Sequence, residues 1–197
     1  TAIRRILVDK SVMSEFREQL ISALGRIRVG DPASPETHVG PVINSAAQGH
    51  LKASVAAAMT RGASILTQVT ASRDANSSGA WFAPTVLEGV STEDPLWCDE
   101  LFGPLVVLRQ CNGIKDGLAQ SNKGNYGLLG VVYTQDRAAI ELFIQESQLG
   151  LCSINRARPK LSPEGPFSGW KDSSSGVAEH GRWNREFYTR VKAVYEE

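Results

Sequence analysis

Asp99-Glu100-Leu101-Phe102-Gly103-Pro104 runs directly into Leu105-Val106-Val107-Leu108 and follows a polar turn at 91–94. A Gly-Pro pair feeding an apolar, β-branched run predicts a turn that enters a buried strand. Pro104 suits the first strand position, where a missing N–H costs least. The acid and the ring before it are then held at the strand's mouth. In open α/β sheets ligands collect at strand ends, the carboxyl ends above all. Glu100 is thus a candidate acceptor for ligand hydroxyls, and Phe102 a candidate apolar face for a flat ring. A turn carboxylate and a core phenylalanine explain the same residues with no ligand.

Downstream of this stretch the pattern alternates. Helical spacing covers 115–121, a strand pattern 129–133, a helix 138–148 and a further strand 151–154. Three strands separated by helices of this length predict two βαβ units and a parallel sheet with helices across its faces. Upstream, Ile3 to Val8 reads as a strand. Val12, Phe16, Leu20 and Leu24 recur at spacing four, an amphipathic helix ending near Gly25. A loop opens at Gly30-Asp31-Pro32 and runs to Asn44. Leu51, Val55 and Met59 mark a second helix stopped by Gly62, followed by a short strand at 64–66, a Ser-rich loop at 70–79 and an extended piece at 84–87. Beyond 154 the chain becomes a loop with no clear periodicity, closing on Phe187-Tyr188-Thr189-Arg190 and an edge strand at 191–195.

The 197 residues are 42% hydrophobic and 21% charged, enough for a proper core. Lys+Arg and Asp+Glu both number 21, so no global field favours nucleic acid or an anionic membrane. Cys98, Cys111 and Cys152 lack Cys-x-x-Cys spacing and predict no zinc site; Cys111 and Cys152 border apolar strands and read as small core residues. His38 and His50 lack ligand spacing, so no metal is expected. No apolar run reaches membrane-spanning length and no signal peptide is visible, which makes the cytoplasm the expected location. Asn76-Ser77-Ser78 is a formal glycosylation sequon without a secretion signal beside it.

The central hexapeptide resembles the Glu-Glu-Ile-Phe-Gly-Pro motif of the aldehyde dehydrogenase superfamily, with Asp99 in place of the first Glu. Other matches follow in order. Gly30-Asp31-Pro32 with Gly40-Pro41-Val42 is similar to a Gly-Asp-Pro…Gly-Pro segment. Gly62-Ala63…Leu66 resembles Gly-Ala-x-x-Leu, and Pro84-Thr85-Val86-Leu87 resembles Pro-Thr-Val-Leu. Asn122…Tyr126-Gly127-Leu128 resembles Asn-x-x-x-Tyr-Gly-Leu, and Pro166-Phe167…Gly169…Lys171…Ser173 resembles Pro-Phe-Gly-Gly-x-Lys-x-Ser. Ser168 and Ser174 stand where the family usually has Gly, which puts the local loop geometry in question.

The resemblance implies an α/β fold of three layers, with a mostly parallel sheet and helices on both faces, truncated on its N-terminal side. It implies residues 1–186 as part of a catalytic domain and 187–197 as an oligomerisation strand. Glu100 inherits the nicotinamide ribose, Phe102 the nicotinamide ring of NAD or NADP, and Phe167 contact with the aldehyde substrate. The family oxidises an aldehyde to a carboxylate through a cysteine thiohemiacetal and thioester. Aligned on Thr1-Ala2-Ile3-Arg4-Arg5, that cysteine falls immediately before Thr1, and the general base and the Rossmann-type cofactor domain lie further upstream. No catalytic residue is therefore expected in this chain, and the isolated chain is expected to be inactive.

Two local substitutes are weaker. Cys98 is close to Glu100 but has no helix N-terminus or basic neighbour upstream to lower a thiol pKa. Ser173, His180 and Asp172 share one loop and lack a Gly-x-Ser-x-Gly elbow. Gly124, Gly127 and Gly130 follow no strand and read as turn and packing glycines. The alternative to an enzyme piece is a non-catalytic assembly module that uses its C-terminal edge strand. In either case a homo-oligomer, dimer or tetramer, is expected, with no nucleic-acid or membrane partner.

Overall fold

The computed structural model describes residues 2–69, 79–157 and 161–197. Thr1, most of the Ser-rich loop with its sequon, and residues 158–160 lie outside the described residues. The chain forms two compact units, Ala2–Gly124 and Asn125–Glu197.

The first unit runs β1 (Arg5–Asp9), α1 (Met13–Leu24), α2 (Ser45–Thr60), β2 (Ser64–Gln68), β3 (Thr85–Glu88), α3 (Pro95–Cys98), β4 (Leu105–Cys111) and α4 (Gly113–Asn122). Its sheet has the order β1-β4-β3-β2. β4 lies parallel to both β1 and β3, while β2 is antiparallel at the edge. Strand side chains alternate between faces, and the core divides accordingly. Leu7, Leu87, Leu105 and Val107 meet Leu51, Val55 and Ala58 of α2 and Leu96 and Trp97 of α3. Ile6, Val8, Val86, Val106 and Leu108 meet Met13, Phe16, Leu20 and Leu24 of α1. Two helical layers therefore enclose a mostly parallel sheet, as the sequence predicts.

Local chemistry sets the helix ends. The Asn44 side chain accepts the Ala47 N–H at 2.8 Å to start α2. Gly62, at φ +103, turns the chain out of α2 where a side chain would be strained. The apolar face of α2 differs from its predicted one: Met59 is exposed, and Ala58 fills the contact with the sheet.

The second unit runs β5 (Tyr126–Gly127), β6 (Leu129–Val132), α5 (Arg137–Glu146), β7 (Leu151–Ile154), β8 (Trp170–Lys171), a 3-10 turn (Gly181–Trp183) and α6 (Asn184–Tyr188). β6 and β7 are parallel neighbours joined through α5, one of the two expected βαβ units. The other expected unit does not form, because β4 already spends both edges on β1 and β3 and has none left for β6. β5 and β8 make a short antiparallel pair. Gly127 and Gly130 are packing glycines, as read: an added Cβ would lie 2.2 Å from the Gln148 carbonyl oxygen or 2.3 Å from Leu149 Cδ1. Residues 184–188 form a helical turn. Residues 189–197 lie outside any helix or strand, so the edge strand expected at 191–195 has no pairing within the described residues. No described helix is long and apolar enough to cross a membrane.

Leu87 is fully buried between the two helical layers, whereas Ile43 is 91% exposed. Thermal or urea unfolding should show Leu87→Ala losing about 2–5 kcal/mol, and Ile43→Ala staying within about 0.5 kcal/mol of the parent.

Candidate functional site

The mouth of β4 is fixed by backbone bonds and by one close approach. The Thr85 N–H donates to the Pro104 carbonyl at 3.0 Å, and the Leu105 N–H donates to the Gly103 carbonyl at 2.8 Å. Gly103 presses against α2: a Cβ there would lie 2.5 and 2.6 Å from the two Leu51 Cδ atoms. Glycine is the residue that fits. Just before it, Phe102 takes a left-handed backbone at φ +51. That conformation costs a non-glycine residue about 1–3 kcal/mol and persists only where its surroundings impose it.

The consequence is an aromatic ring turned outward. Phe102 is 85% exposed, and Glu100 is exposed beside it. Phe102 therefore belongs to neither hydrophobic cluster of this unit. Leu101, between them, packs on the α2–α3 face of the core. A cleft at this point, lined in part by Arg4, Asp99 and Phe102, has a volume of about 20 Å³, room for little more than one water. A larger ligand would lie across the exposed face of Glu100 and Phe102 rather than inside the unit. Since both residues precede β4, they stand at the amino end of the parallel strands, opposite the end that generally gathers ligands.

The segment leading to this face is held by charged groups that the sequence reading missed. Asp94 is buried, accepts the Leu96 N–H at 2.8 Å, and receives two hydrogen bonds from the Arg61 guanidinium at 2.6 and 2.8 Å. The Arg61 bonds hold the Asp94 carboxyl below its usual range; burial opposes this, and the Leu96 N–H assists. The ring of Trp97, fully buried, has the guanidinium groups of Arg5 and Arg109 over it, 5.1 and 5.6 Å from its centroid. Its indole N–H and Arg5 Nη1 both donate to the Lys123 carbonyl, at 3.1 and 2.7 Å. Burial, and then neighbouring Arg4, lowers the Arg5 pKa. Arg4 in turn donates to the Asp99 carbonyl. Asp94-Pro95 was a readable start signal for α3. Its ion partner, 33 residues away, gave no local signal.

The thiols are not set up as nucleophiles. Burial pushes the Cys98 pKa up, reinforced by Asp99 and Glu93; burial likewise raises Cys111, with Asp9 adding to it. Cys111 is buried, as expected, but Cys152 is exposed on β7, with its Sγ 3.4 Å from Ser147 Oγ. Its strand is an edge of a two-stranded sheet, so alternation turns it away from the core. Ser173 Oγ accepts the Gly127 N–H at 2.9 Å, and the His180 ring lies 5.7 Å from that of Phe167. Those contacts give Ser173 and His180 structural partners. His38 Nδ1 accepts the Arg28 N–H. No metal-holding cluster occurs among the described residues.

Phe167 belongs to the second unit and is half-buried. Its backbone pairs with Glu179 through two hydrogen bonds of 2.8 and 3.1 Å. Neither Ser168 nor Ser174 has a left-handed backbone, so their replacement of the usual glycines creates no strain of that kind. Ser174 Oγ instead accepts the Gly169 N–H at 2.8 Å. Lys171 is the residue of this loop with positive φ, +53.

Residues 1–194 match the profile of the Aldehyde dehydrogenase family. The chain belongs to this family. It is 33% identical over 192 residues to betaine aldehyde dehydrogenase of Cereibacter sphaeroides, covering 97% of this chain and 38% of that one. Betaine aldehyde dehydrogenase of Staphylococcus aureus, solved in complex with NAD+, superposes with a TM-score of 0.84 at 28% identity, over 93% of this chain and 36% of that one. A 3,6-anhydro-L-galactose dehydrogenase solved in complex with NAP gives 0.83 at 28% identity, over 91% and 38%. This aldehyde dehydrogenase chain thus spans about two fifths of the length of such relatives.

Two outcomes follow from the mouth of β4. Gly103→Ala should cost about 1–3 kcal/mol by overpacking, and Leu51→Ala in the same chain should recover part of that loss; a full, unrelieved penalty in the double variant would exclude the contact with Leu51 as its cause. Asp94→Asn should lose about 1–3 kcal/mol at neutral pH, the worth of hydrogen bonds to a charged group. Because folding lowers the Asp94 pKa, its contribution is present above the unfolded value, about 3.9, and is lost as pH falls through the folded value. The gap between the parent and Asp94→Asn in urea unfolding should therefore narrow in acid. A constant gap would show that charge is not involved.

Proposed function

We propose that this chain forms part of an NAD(P)-dependent aldehyde dehydrogenase, converting an aldehyde to a carboxylate, in which Glu100 accepts hydrogen bonds from the nicotinamide ribose and Phe102 lies against the nicotinamide ring. One observation carries this reading. An exposed carboxylate and an exposed aromatic ring sit two residues apart on a backbone fixed by Gly103 and Leu51. The pair fits the group chemically: a carboxylate is an acceptor for ribose hydroxyls, and an aromatic face excludes water from a flat heterocycle. When bound, NAD(P) supplies the hydride acceptor. Glu100 orients the ligand, and Phe102 covers one face. Phe167, half-buried in its own loop, contributes an apolar contact to the aldehyde.

Aldehyde oxidation also needs a thiolate and a base for the hydrolytic water. Burial pushes the Cys98 and Cys111 thiols up, away from the thiolate that attack requires. Following the family resemblance, the attacking thiol, which passes through a thiohemiacetal and a thioester, is assigned to a residue outside this chain, and the chain alone to inactivity. Residues 1–186 act within the catalytic domain on this reading. Three unpaired cysteines suit a reducing compartment, and the cytoplasm is where we place the enzyme.

A second reading concerns assembly. Val191, Val194 and Tyr195 are almost completely exposed, as is much of Tyr188. Within the 187–197 segment, residues 189–197, outside any helix or strand, are suited to add to the sheet of another copy and make a dimer or tetramer. Removing 191–197 should lower the mass measured by light scattering; an unchanged mass would exclude this role.

Joined to the upstream portion typical of its relatives, the chain should give aldehyde-dependent NAD(P)H formation. Glu100→Gln should raise the KM for NAD(P) about tenfold, the equivalent of one good hydrogen bond to a charged group. The chain alone should show no turnover. Thiol-sensitive turnover by the chain alone, or none by the joined protein across a broad aldehyde panel, would overturn the assignment.

A further inference from the structure

Glu100 and Phe102 follow α3 by only a few residues, and α3 is a four-residue helix, too short to hold itself in place. Besides the burial of Leu96 and Trp97, the Asp94–Arg61 pair holds it. Asp94 ties the first turn to the end of α2, two hydrogen bonds to the Arg61 guanidinium on one side and the Leu96 N–H on the other. The Asp94 side chain is 4% exposed and Arg61 45% exposed, so the pair is anchored on its acidic member and screened by water only on the other. α2 is the same helix whose Leu51 blocks a side chain at Gly103. One helix thus grips both ends of the 94–103 segment: Arg61 at its start, Leu51 at its finish. Trp97, buried in the core with the Arg5 and Arg109 guanidinium groups over its ring, fixes the middle. The hydrogen bonds and ion pair described for Arg61 and Asp94 involve neither Glu100 nor Phe102.

We propose that Asp94 and Arg61 are positioning residues for the nicotinamide-binding face: they set where α3 leaves α2, and so where Glu100 and Phe102 stand. This inference rests on the cofactor reading above and deepens it. A bidentate guanidinium–carboxylate pair fixes direction as well as distance, which a lysine ammonium at 61 cannot reproduce.

The test has two arms. In this chain, hydrogen exchange of the amides at 99–103 should speed up about tenfold in Asp94→Asn and in Arg61→Gln, while those of Leu87 and Val107 in the sheet keep their protection. In the complete enzyme, both variants should raise the KM for NAD(P) several-fold and leave the aldehyde KM within about twofold; Arg61→Lys should recover less than half of the loss. Unchanged exchange at 99–103, or an equal rise in the sheet, would overturn the proposal as mere structural support. Faster exchange with an unchanged cofactor KM would overturn it as a device for the cofactor. Glu100→Gln, run beside these variants, keeps the two failures apart: if it also leaves the cofactor KM unchanged, the cofactor reading itself has failed.

Discussion

Leu51 fills the space in which residue 103 would carry a side chain, and the course of the backbone into β4 depends on that contact. With a glycine there, the chain can run flush against α2 and enter the sheet at Leu105. Pro104 gives up no needed N–H, and its carbonyl takes the Thr85 amide, so β3 and β4 are tied in register at their first residues. The bend has to be absorbed just before the glycine. It is absorbed at Phe102, in a left-handed conformation whose cost the surrounding packing offsets. A ring that hydrophobicity alone would send inward is thereby held in water.

The two faces of the sheet divide the labour. α1 closes one face with Met13, Phe16, Leu20 and Leu24. α2 and α3 close the other, and there the packing also shapes the site. Charged groups are used sparingly and where they direct the chain. Asp94 is buried but doubly bonded to Arg61, and Trp97 is buried with two guanidinium groups over its ring. An aromatic of that size contributes more to the core than the pairings around it; those pairings settle its orientation. The packed core and the exposed pair thus share the same residues as neighbours.

Much of this was legible in the residues themselves. The Gly-Pro step and the run after it located β4, and the spacing-four pattern located α1, because both signals are local. The family resemblance singled out Glu100 and Phe102, and the structure finds both exposed. The features that escaped are those decided at a distance. Ala58 rather than Met59 faces the sheet because the tilt of α2 is set by its contacts, not by its own periodicity. β4 and β6 read as neighbours, yet β1 had already taken that edge. Cys152 read as core from its apolar flanks, while membership in a two-stranded sheet exposed it. The bond between Asp94 and Arg61 spans 33 residues, and neither residue carries a mark of the other. Phe102 shows the same limit from the other side: its identity suggested burial, and only the contact of the next residue with Leu51 explains its exposure.

In this aldehyde dehydrogenase chain, Glu100 and Phe102 are exposed on a backbone that packs against Leu51 at Gly103, which should make that face rigid. Backbone 15N order parameters of the labelled chain measure that directly. Amides at 100–103 should match those of β4, near the value of about 0.85 typical of rigid backbone, despite the exposure of Glu100 and Phe102. Values there below about 0.6, with β4 itself rigid, would show a loose loop and contradict the claim that Gly103 and Leu51 hold the pair in place.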